Sequence, residues 1–246
     1  MAKIFITGSS DGLGKMAANM LVAGGHDVTI HARNPQRAKD AMKEVPGAKN
    51  VLIGDLSDID QAKDLARQAN SLGRFDAVIH NAGVYNVSQQ VIVNVNILSP
   101  YILTCLMTMP DRLIYLSSGD HLHGSPNLDS LANNSGRISY ADSKLHDVML
   151  AFAIARKFPG VYSNSVDPGW VATKMGGRHA PDDLEKGYET QAWLAVSNDP
   201  GAMVSGRHFY HKVEARHRPE ADDVKLQERF LSICGELTNT TLRAVD

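Results

Sequence analysis

Residues 1–14 read MAKIFITGSSDGLG, and this stretch decides the fold. Its first seven residues form a short apolar run that stops at a glycine, which predicts a buried strand. Gly8, Gly12 and Gly14 follow, and apolar residues then recur at helical spacing over 16–21. The order strand, glycine turn, helix is typical of a dinucleotide site, because the helix N-terminus offers free N–H groups to a pyrophosphate. The spacing departs from G-x-G-x-x-G, so a glycine turn without a ligand is the alternative.

Short apolar runs alternate with helical patterns along the rest of the chain. The predicted strands after the first are residues 27–31, 51–54, 77–80, 113–116 and 161–165, with 207–210 as a candidate for a last one. The predicted helices are residues 12–23, 35–45, 58–72, 89–109, 140–158, 182–198 and 222–237. This alternation predicts an α/β fold with a doubly wound, mainly parallel sheet of about seven strands and helices on both faces. Because the 246 residues contain no repeat, low-complexity tract or linker, we expect one domain over 1–246.

Composition and charge argue against several classes of function. With 25 basic and 27 acidic residues the net charge is −2, so there is no general attraction to nucleic acid or an anionic membrane. No apolar run approaches the ~20 residues of a membrane span. The chain enters its first strand directly, which leaves no room for a signal peptide. Cys105 and Cys234 lie in apolar helical patterns, as reduced thiols do. We therefore expect a cytoplasmic protein.

The histidines do not indicate a metal site. The chain has ten of them, scattered along its length. The pairs His121 with His123 and His208 with His211 have no nearby cysteine or carboxylate that would complete a ligand set. We expect ordinary polar or surface histidines and no metal.

The second informative stretch is Tyr140-Ala141-Asp142-Ser143-Lys144. Ser139 and Asp142 resemble a capping box, so this stretch begins a helix, and residues four apart share one helix face. A tyrosine has an ordinary pKa of about 10 and exchanges protons readily at neutral pH only when a cation stabilises its phenolate. Lys144 would be that cation. Taken alone, the pair is weak evidence of catalysis, and a partly buried aromatic residue near a helix start is the alternative.

Five motifs in register make the chain resemble the short-chain dehydrogenase/reductase family. They are T-G-x-x-x-G-x-G from Thr7 to Gly14, Asn81-Ala82-Gly83, Ser118, Tyr140 with Lys144, and Pro168-Gly169 followed by Thr173. The match runs in order over nearly the whole chain. It most resembles the retinol-dehydrogenase-like and carbonyl-reductase-like branches.

The resemblance implies an oxidoreductase that transfers a hydride between nicotinamide and a carbonyl or alcohol substrate. In that family the tyrosine, here Tyr140, is the general acid or base. The lysine, Lys144, lowers the pKa of the tyrosine and binds the nicotinamide ribose. The serine polarises the substrate carbonyl; Ser118 matches the family register, and Ser117 is the alternative.

An asparagine completes the catalytic set that the resemblance implies. Asn96 matches it and would hold a water that relays protons to the lysine, while Asn94 is the competing interpretation. Only fifteen residues separate Asn81 from Asn96, fewer than is usual in the family, so one wall of the cleft is expected to be short or open.

The segment between Ser118 and Tyr140 is longer than in many members of the family, with the two residues twenty-two positions apart. It contains His121, His123, Asn127 and Arg137. Residues 119–139 therefore either line the substrate cleft or form an ordered surface insertion.

The resemblance also implies the cofactor contacts. They fall on Gly8, Ser10, Gly12, Leu13, Gly14, Arg33, Asp55, Leu56, Asn81, Ala82, Gly83, Tyr140, Lys144, Pro168, Gly169, Val171 and Thr173. An NAD site usually carries a carboxylate about 20 residues after the glycines, for the ribose 2′-hydroxyl. This chain has no acid there, and Arg33 can instead pair with a 2′-phosphate, assisted by Arg37. NADP(H) is therefore favoured over NAD(H), although Asp11 is a counter-indication and a solvated Arg33 the alternative.

The expected partner is a small carbonyl or alcohol compound, and a homo-oligomer is compatible with the sequence. Residues 170–187 are expected to form a lid whose mixture of Trp170 and Met175 with Lys174, Arg178 and His179 allows an apolar substrate or one with an anionic end. A non-catalytic dinucleotide sensor on the same fold is the alternative function. A serine hydrolase is disfavoured because no G-x-S-x-G surrounds Ser118.

Overall fold

The computed structural model describes residues 1–133 and 137–242. Within them one eight-stranded sheet has the order β3-β2-β1-β4-β5-β6-β7-β8. The strands are β1 Lys3–Ile6, β2 Asp27–Ala32, β3 Asn50–Ile53, β4 Ala77–His80, β5 Arg112–Leu116, β6 Tyr162–Asp167, β7 His208–Tyr210 and β8 Val213–Glu214. Every neighbouring pair is parallel except β7 with β8. The predicted fold class is confirmed, with one short antiparallel edge strand beyond the strands that the sequence indicated.

Helices cover both faces of this sheet. They are α1 Gly12–Ala23, α2 Pro35–Glu44, α3 Ile59–Ser71, α4 Gln89–Ile92, α5 Ser99–Leu106, α6 Leu128–Asn133, α7 Tyr140–Lys157, α8 Leu184–Val196 and α9 Val224–Thr238. A π-helical stretch, Val93–Leu98, joins α4 to α5, and short 3₁₀ helices lie at Gly119–His123 and Pro219–Ala221. Each predicted helix is present within a few residues of its expected bounds, whereas α6 was not predicted.

The alternation of side chains along β1 divides the core into two layers. Ile4 and Ile6 pack with residues of α1, α2 and α8, while Phe5 packs with residues of α3, α5, α7 and α9. Because successive side chains of a strand point to opposite faces, a short apolar run such as β1 is buried on both sides. Burial of β1 on both faces fixes the position of the glycine turn that follows it.

The helix Gln89–Leu106 is long and apolar enough, by length and composition alone, to cross a membrane. It spans 18 residues, so the expectation that no apolar run approaches this length was wrong. About two thirds of it, 67%, is buried inside the fold, where α5 packs against α3.

The sheet places the sequence motifs at one edge. The chain starts at β1, builds outward to β3 and then crosses back to β4 on the other side of β1. In doubly wound sheets the crevice beyond the carboxyl ends of the strands at this reversal binds ligands. Gly8 follows β1 and Asn81 follows β4, whereas Ser118 and Pro168 follow the neighbouring β5 and β6. The four motifs therefore meet at the reversal.

Burial lowers the pKa of all five buried histidines, and for three of them the value is far below the ordinary one. Burial lowers the pKa of His80 and of His208 to about 3, and that of His146 to about 4. Burial acts in the opposite sense on Asp147 and raises its pKa to about 6, although Lys144 lowers it in part. The histidines are thus neutral in the folded protein near pH 6, where an unfolded chain begins to protonate them.

We predict that the free energy of unfolding falls as the pH drops from about 6.5 to 5. In that range the unfolded chain binds a proton at each of the three histidines that the folded protein lacks, while folded Asp147 retains one that the unfolded chain releases. Because burial also lowers the pKa of His31 and His121, the net difference is at least about two protons, which corresponds to at least roughly 2–3 kcal/mol per pH unit. Chemical denaturation at a series of pH values measures this slope.

His80→Leu should reduce the slope by about one proton, roughly 1.4 kcal/mol per pH unit. The control is His179→Leu, because His179 is exposed. A slope of zero in the wild type, or one that His80→Leu leaves unchanged, contradicts the prediction.

Candidate functional site

Two adjoining cavities occupy the crevice at the carboxyl ends of β1, β4, β5 and β6. The inner one has a volume of about 190 Å³ and runs along the glycine turn to Lys144. The outer one has a volume of about 740 Å³ and opens past Ser118. Leu13, Tyr140, Pro168, Thr173 and Met175 line both cavities. The tyrosine therefore stands at their junction.

The glycine turn and the Asn81-Ala82-Gly83 segment are packed backbone to backbone. Gly8 has φ +63°, and a Cβ atom on it would lie only 2.7 Å from Cα of Ala82. The Asn81 side-chain amide donates to the carbonyl oxygens of Thr7 and Gly8, at 3.0 and 3.2 Å. Ala82 N–H donates to the Thr7 hydroxyl at 3.0 Å. A larger residue at Gly8 would separate these two loops.

A buried histidine on β2 supports the glycine turn from below. Gly8 N–H donates to Nδ1 of His31 at 2.9 Å, and Nε2 of His31 contacts the Gly54 carbonyl at 2.8 Å. Since Nδ1 accepts a hydrogen bond, the ring is neutral and carries its proton on Nε2. Burial lowers the pKa of His31, which favours this state. Sequence reasoning did not find this role, because a single histidine in a strand carries no pattern.

Cations surround the glycine turn. Asp11 caps α1 by accepting from Gly12 N–H at 2.9 Å, and its carboxylate also binds the side chains of Arg37 and Lys174. Partial burial would raise the pKa of Asp11, but the bonds from Lys174 and Gly12 lower it overall. Arg33 is exposed directly beyond the end of β2. In the sequence, Asp11 was the residue that counted against NADP(H). In the structure, Arg37 and Lys174 offset its negative charge.

The remaining predicted cofactor residues differ in position. Within the inner cavity lie Gly8, Gly12, Leu13, Asn81, Gly83, Tyr140, Lys144, Pro168 and Thr173, whereas Gly169 and Val171 line the outer cavity. Six predicted cofactor residues line neither cavity: Ser10, Gly14, Arg33, Asp55, Leu56 and Ala82. Asp55 accepts hydrogen bonds from the backbone and hydroxyl of Ser57, and Leu56 is buried.

The two candidate serines have different surroundings. Ser117 is buried, and its hydroxyl donates to the Lys144 carbonyl at 2.7 Å. Ser118 lines the outer cavity, as does Tyr140, and its hydroxyl accepts from Asp120 N–H at 3.2 Å. His121 contacts the carbonyl oxygen of Ser118 through Nδ1, at 2.6 Å. Ser117 thus lines the inner cavity with its hydroxyl bonded to the protein, whereas Ser118 lines the outer cavity together with Tyr140.

The two candidate asparagines also differ. Asn96 is buried in the π-helical stretch, where its side chain binds both backbone groups of Val84 and the hydroxyl of Ser143. A Cβ atom on Gly83 would lie 3.8 Å from its Oδ1 and 3.3 Å from Nζ of Lys144, so both groups flank Gly83. Asn94 instead donates to the Ser57 carbonyl at 2.6 Å, away from the lysine.

Lys144 is held in a buried ion pair. Its ammonium donates to the Leu116 carbonyl and to Oδ2 of Asp147, both at 2.8 Å, and lies 5.6 Å from the ring centroid of Tyr140. Burial raises the pKa of Tyr140, and Lys144 and Ser118 offset this only in part. The sequence interpretation considered Lys144 alone and missed Asp147. The available signal was an acid three residues later within an apolar helix.

Carboxylates and aromatic rings line the outer cavity. The carboxylates are Asp120, Asp167 and Asp182, and the aromatic rings beside Tyr140 are Tyr85, Trp170 and Tyr210. Asp167 accepts from Gly169 N–H at 2.9 Å and Asp182 from Trp170 N–H at 2.6 Å, which fixes the loop after β6. The described lining includes no lysine or arginine. Lys174, Arg178 and His179 of the predicted lid lie outside this lining.

One part of the insertion between Ser118 and Tyr140 lines the cleft, and another part packs on the surface of the fold. Gly119, Asp120 and His123 line the outer cavity, while α6 packs against α9. The stretch 134–136 of this insertion lies outside the described residues. On the opposite wall, Tyr85 in the short segment before Asn96 is exposed over the cavity, with its ring 5.1 Å from that of Tyr140.

No group of three or more His, Cys, Asp or Glu residues is placed to hold a metal ion in residues 1–133 and 137–242. The sequence pairs His121 with His123 and His208 with His211 do not form metal-ligand pairs in the described residues. His121 instead lies beside His208, with ring centroids 4.5 Å apart, and His123 is exposed.

Comparisons with known proteins identify the family and the fold. The short-chain dehydrogenase family model matches residues 2–183. An uncharacterized oxidoreductase of Emericella nidulans is 45% identical over 251 residues, covering 97% of each chain. A crystal structure of an uncharacterized protein from Mycobacterium paratuberculosis has a TM-score of 0.84 at 22% identity, covering 99% of this chain and 95% of its own. A metagenomic blue fluorescent protein in complex with NADPH has a TM-score of 0.69 at 23% identity, covering 84% and 95%. The chain belongs to the short-chain dehydrogenase/reductase family and is a dinucleotide-dependent oxidoreductase.

Proposed function

We propose that this protein transfers a hydride between NADP(H) and a small carbonyl or alcohol compound. The observation that carries the proposal is the position of Tyr140 between the two cavities, with Ser118 on the outer side and Lys144 on the inner side. The inner cavity then takes the nicotinamide end of the cofactor and the outer cavity the substrate.

The residues around the inner cavity suit a dinucleotide. The turn after β1 leads into the N-terminus of α1, where free N–H groups attract phosphate. Oδ1 of Asn81 is buried at this cavity and has no hydrogen-bond partner among the described residues, so it can serve a ligand. When bound, the cofactor supplies or accepts the hydride. The chain supplies the proton donor and the groups that orient the substrate.

The preference for NADP(H) rests on charge at the end of β2. Arg33 is exposed there, Arg37 and Lys174 lie across the turn on Asp11, and no acid occupies the end of the strand. A 2′-phosphate would compete with the Asp11 carboxylate for these cations, and Arg33 can bind it through two parallel N–H groups. The NADPH complex of the structurally similar blue fluorescent protein is in line with this preference.

In carbonyl reduction Tyr140 gives its proton to the developing alkoxide, and in alcohol oxidation its phenolate takes that proton back. Ser118 donates to the carbonyl oxygen and polarises it. Lys144 stabilises the phenolate and binds the ribose hydroxyls. Asn96, beside Gly83 and Lys144, holds the water through which protons reach the lysine.

The outer cavity favours neutral or cationic substrates. Its wall carries three carboxylates and several aromatic rings, and its described lining has no lysine or arginine. A carboxylate on the substrate would meet like charges, whereas an ammonium group gains from both carboxylates and rings. Of the two substrate types that the lid sequence allowed, this charge distribution favours the one without an anionic end.

The dinucleotide sensor is the less favoured function. It would bind cofactor without turnover, and it does not need a serine and a buried lysine around the tyrosine at the junction of two cavities. A serine hydrolase would need a base at the Ser118 hydroxyl, whereas His121 contacts the Ser118 carbonyl oxygen through Nδ1.

Tyr140→Phe keeps the ring and removes the proton donor. We expect turnover of a reactive ketone to fall by roughly 10²–10⁴-fold, the range for general acid–base groups. Cofactor binding, followed by NADPH fluorescence, should persist. Tyr162→Phe is the control, because Tyr162 lies at the far end of β6. Unchanged turnover in Tyr140→Phe rejects the mechanism.

Arg33→Ala tests the cofactor preference. Loss of one charge-assisted bond costs about 1.5–3 kcal/mol, so KM for NADPH should rise by about one to two decades while NADH kinetics change little. Steady-state kinetics with both cofactors provide the measurement, and Arg67→Ala on the exposed face of α3 is the control. A wild type that prefers NADH, or equal weakening of both cofactors, would contradict the assignment.

The charge preference is testable with three acetophenones that differ only in the para group: aminomethyl, methyl or carboxylate. At an effective dielectric constant of about 20–80, a unit charge about 6–8 Å from a carboxylate interacts by roughly 0.5–3 kcal/mol. We therefore expect kcat/KM to be at least about tenfold lower for the carboxylate than for the aminomethyl compound.

Asp120→Asn should narrow that ratio, because Asp120 is an exposed carboxylate of the cavity wall. Asp60→Asn, an exposed change on α3, should not. If the carboxylate compound is the best of the three substrates, the cavity does not select by charge.

A further inference from the structure

Asp147 is a buried carboxylate at the centre of the site whose role is unassigned. It lies three residues after Lys144 on α7, and both residues are 4% exposed. Their charged atoms are 2.8 Å apart. Burying two charges is expensive, and such a pair is weak as a source of stability. A buried pair whose cation neighbours the reacting tyrosine is therefore a candidate for a functional role.

The pair fixes the direction of the lysine ammonium. An ammonium group has three N–H donors. One is taken by the Leu116 carbonyl and one by Asp147. The third has no protein acceptor in the described structure, and Lys144 lines the inner cavity. Asp147 and Leu116 thus hold two donors on the protein side and leave one for the cavity.

The charge of Asp147 also opposes that of Lys144 at Tyr140. Lys144 favours the phenolate, whereas the nearby carboxylate of Asp147 disfavours it. The other titratable groups that face this cluster are Tyr115 from β5 and Asp120 from the 3₁₀ helix after Ser118. Neither is a cation, and Asn96 in the π-helical stretch is neutral. Within the described residues, Lys144 is thus the only cation that faces Tyr140 and Asp147.

We propose that Asp147 is a positioning residue that aims the Lys144 ammonium at the inner cavity and, by offsetting its charge, keeps Tyr140 protonated at neutral pH. The proposal rests on the proposed function, because it acts through Tyr140 as the proton donor. A protonated tyrosine is the form that reduces a carbonyl. The phenolate needed for alcohol oxidation then forms only at higher pH.

Asp147→Asn tests this, because the amide keeps the shape and an oxygen acceptor for Lys144 but removes the charge. The measurement is the pH profile of kcat/KM for alcohol oxidation with NADP⁺, from about pH 6 to 10. We expect the apparent pKa of the catalytic base to fall by about one unit, which gives about tenfold faster oxidation at a pH below both values. KM for NADP⁺ should rise as well, because the neutral amide holds the Lys144 ammonium less tightly in its position at the inner cavity.

Asp142→Asn is the matched control. Asp142 is also a buried acid of α7, but it accepts from Ser125 and Ser139 at the helix start and has no bond to Lys144. It should lower the melting temperature without moving the kinetic pKa. An apparent pKa that is unchanged or raised in Asp147→Asn overturns the proposal, as does the same pKa shift in both variants.

If Asp147→Asn does not fold, Asp147→Ser makes the same test, since it leaves room for a water at the ammonium. Should both fail to fold, ¹³C NMR of the Asp147 carboxyl group in wild-type protein decides: a carboxyl that stays protonated at the assay pH overturns the proposal. Wild-type protein that is inactive with every carbonyl compound rejects the proposed function. An active wild type with an unchanged Asp147→Asn profile rejects only the role of Asp147.

Discussion

The close backbone contact between the turns after β1 and β4 is the constraint on which the site depends. Gly8 reaches the Ala82 backbone because it lacks a side chain, and the Asn81 amide holds the two turns together. β1 and β4 are adjacent although more than seventy residues separate them. This contact joins the dinucleotide turn to the wall that carries Gly83. The inner cavity has its shape because neither turn can move independently.

Burial of the Lys144 ammonium is the second constraint, because a buried charge needs partners. The helix starts at a capping box, so Tyr140 occupies its first position and Lys144 lies one turn further in, under β5. An ammonium at this depth must be hydrogen-bonded and paired to remain charged. Leu116 and Asp147 satisfy both demands. The same contacts limit how strongly the lysine favours a phenolate, so packing and proton chemistry are coupled here.

The sequence predicted the elements that repeat a pattern, and the structure confirms the α/β fold class with its mainly parallel sheet and the helix that begins near Ser139. The motifs that carry the family resemblance also indicated a set of crevice residues, of which some line the two cavities and others, such as Arg33 and Asp55, do not. The sequence did not predict His31 or Asp147, whose roles depend on single contacts made by isolated residues. The edge strand β8 has two residues, too few for any periodic signal. The catalytic and cofactor roles themselves stay predictions.

The net charge of −2 conceals a separation of charge within the crevice. Arg33, Arg37 and Lys174 surround the dinucleotide turn, while Asp120, Asp167 and Asp182 line the outer cavity. Opposite charges at the two ends suit an anionic cofactor on one side and a neutral or cationic substrate on the other. Under the proposed function, this separation would direct the two ligands to opposite sides of Tyr140. A summed charge cannot reveal this arrangement, because the fold, and not the composition, decides which end each residue occupies.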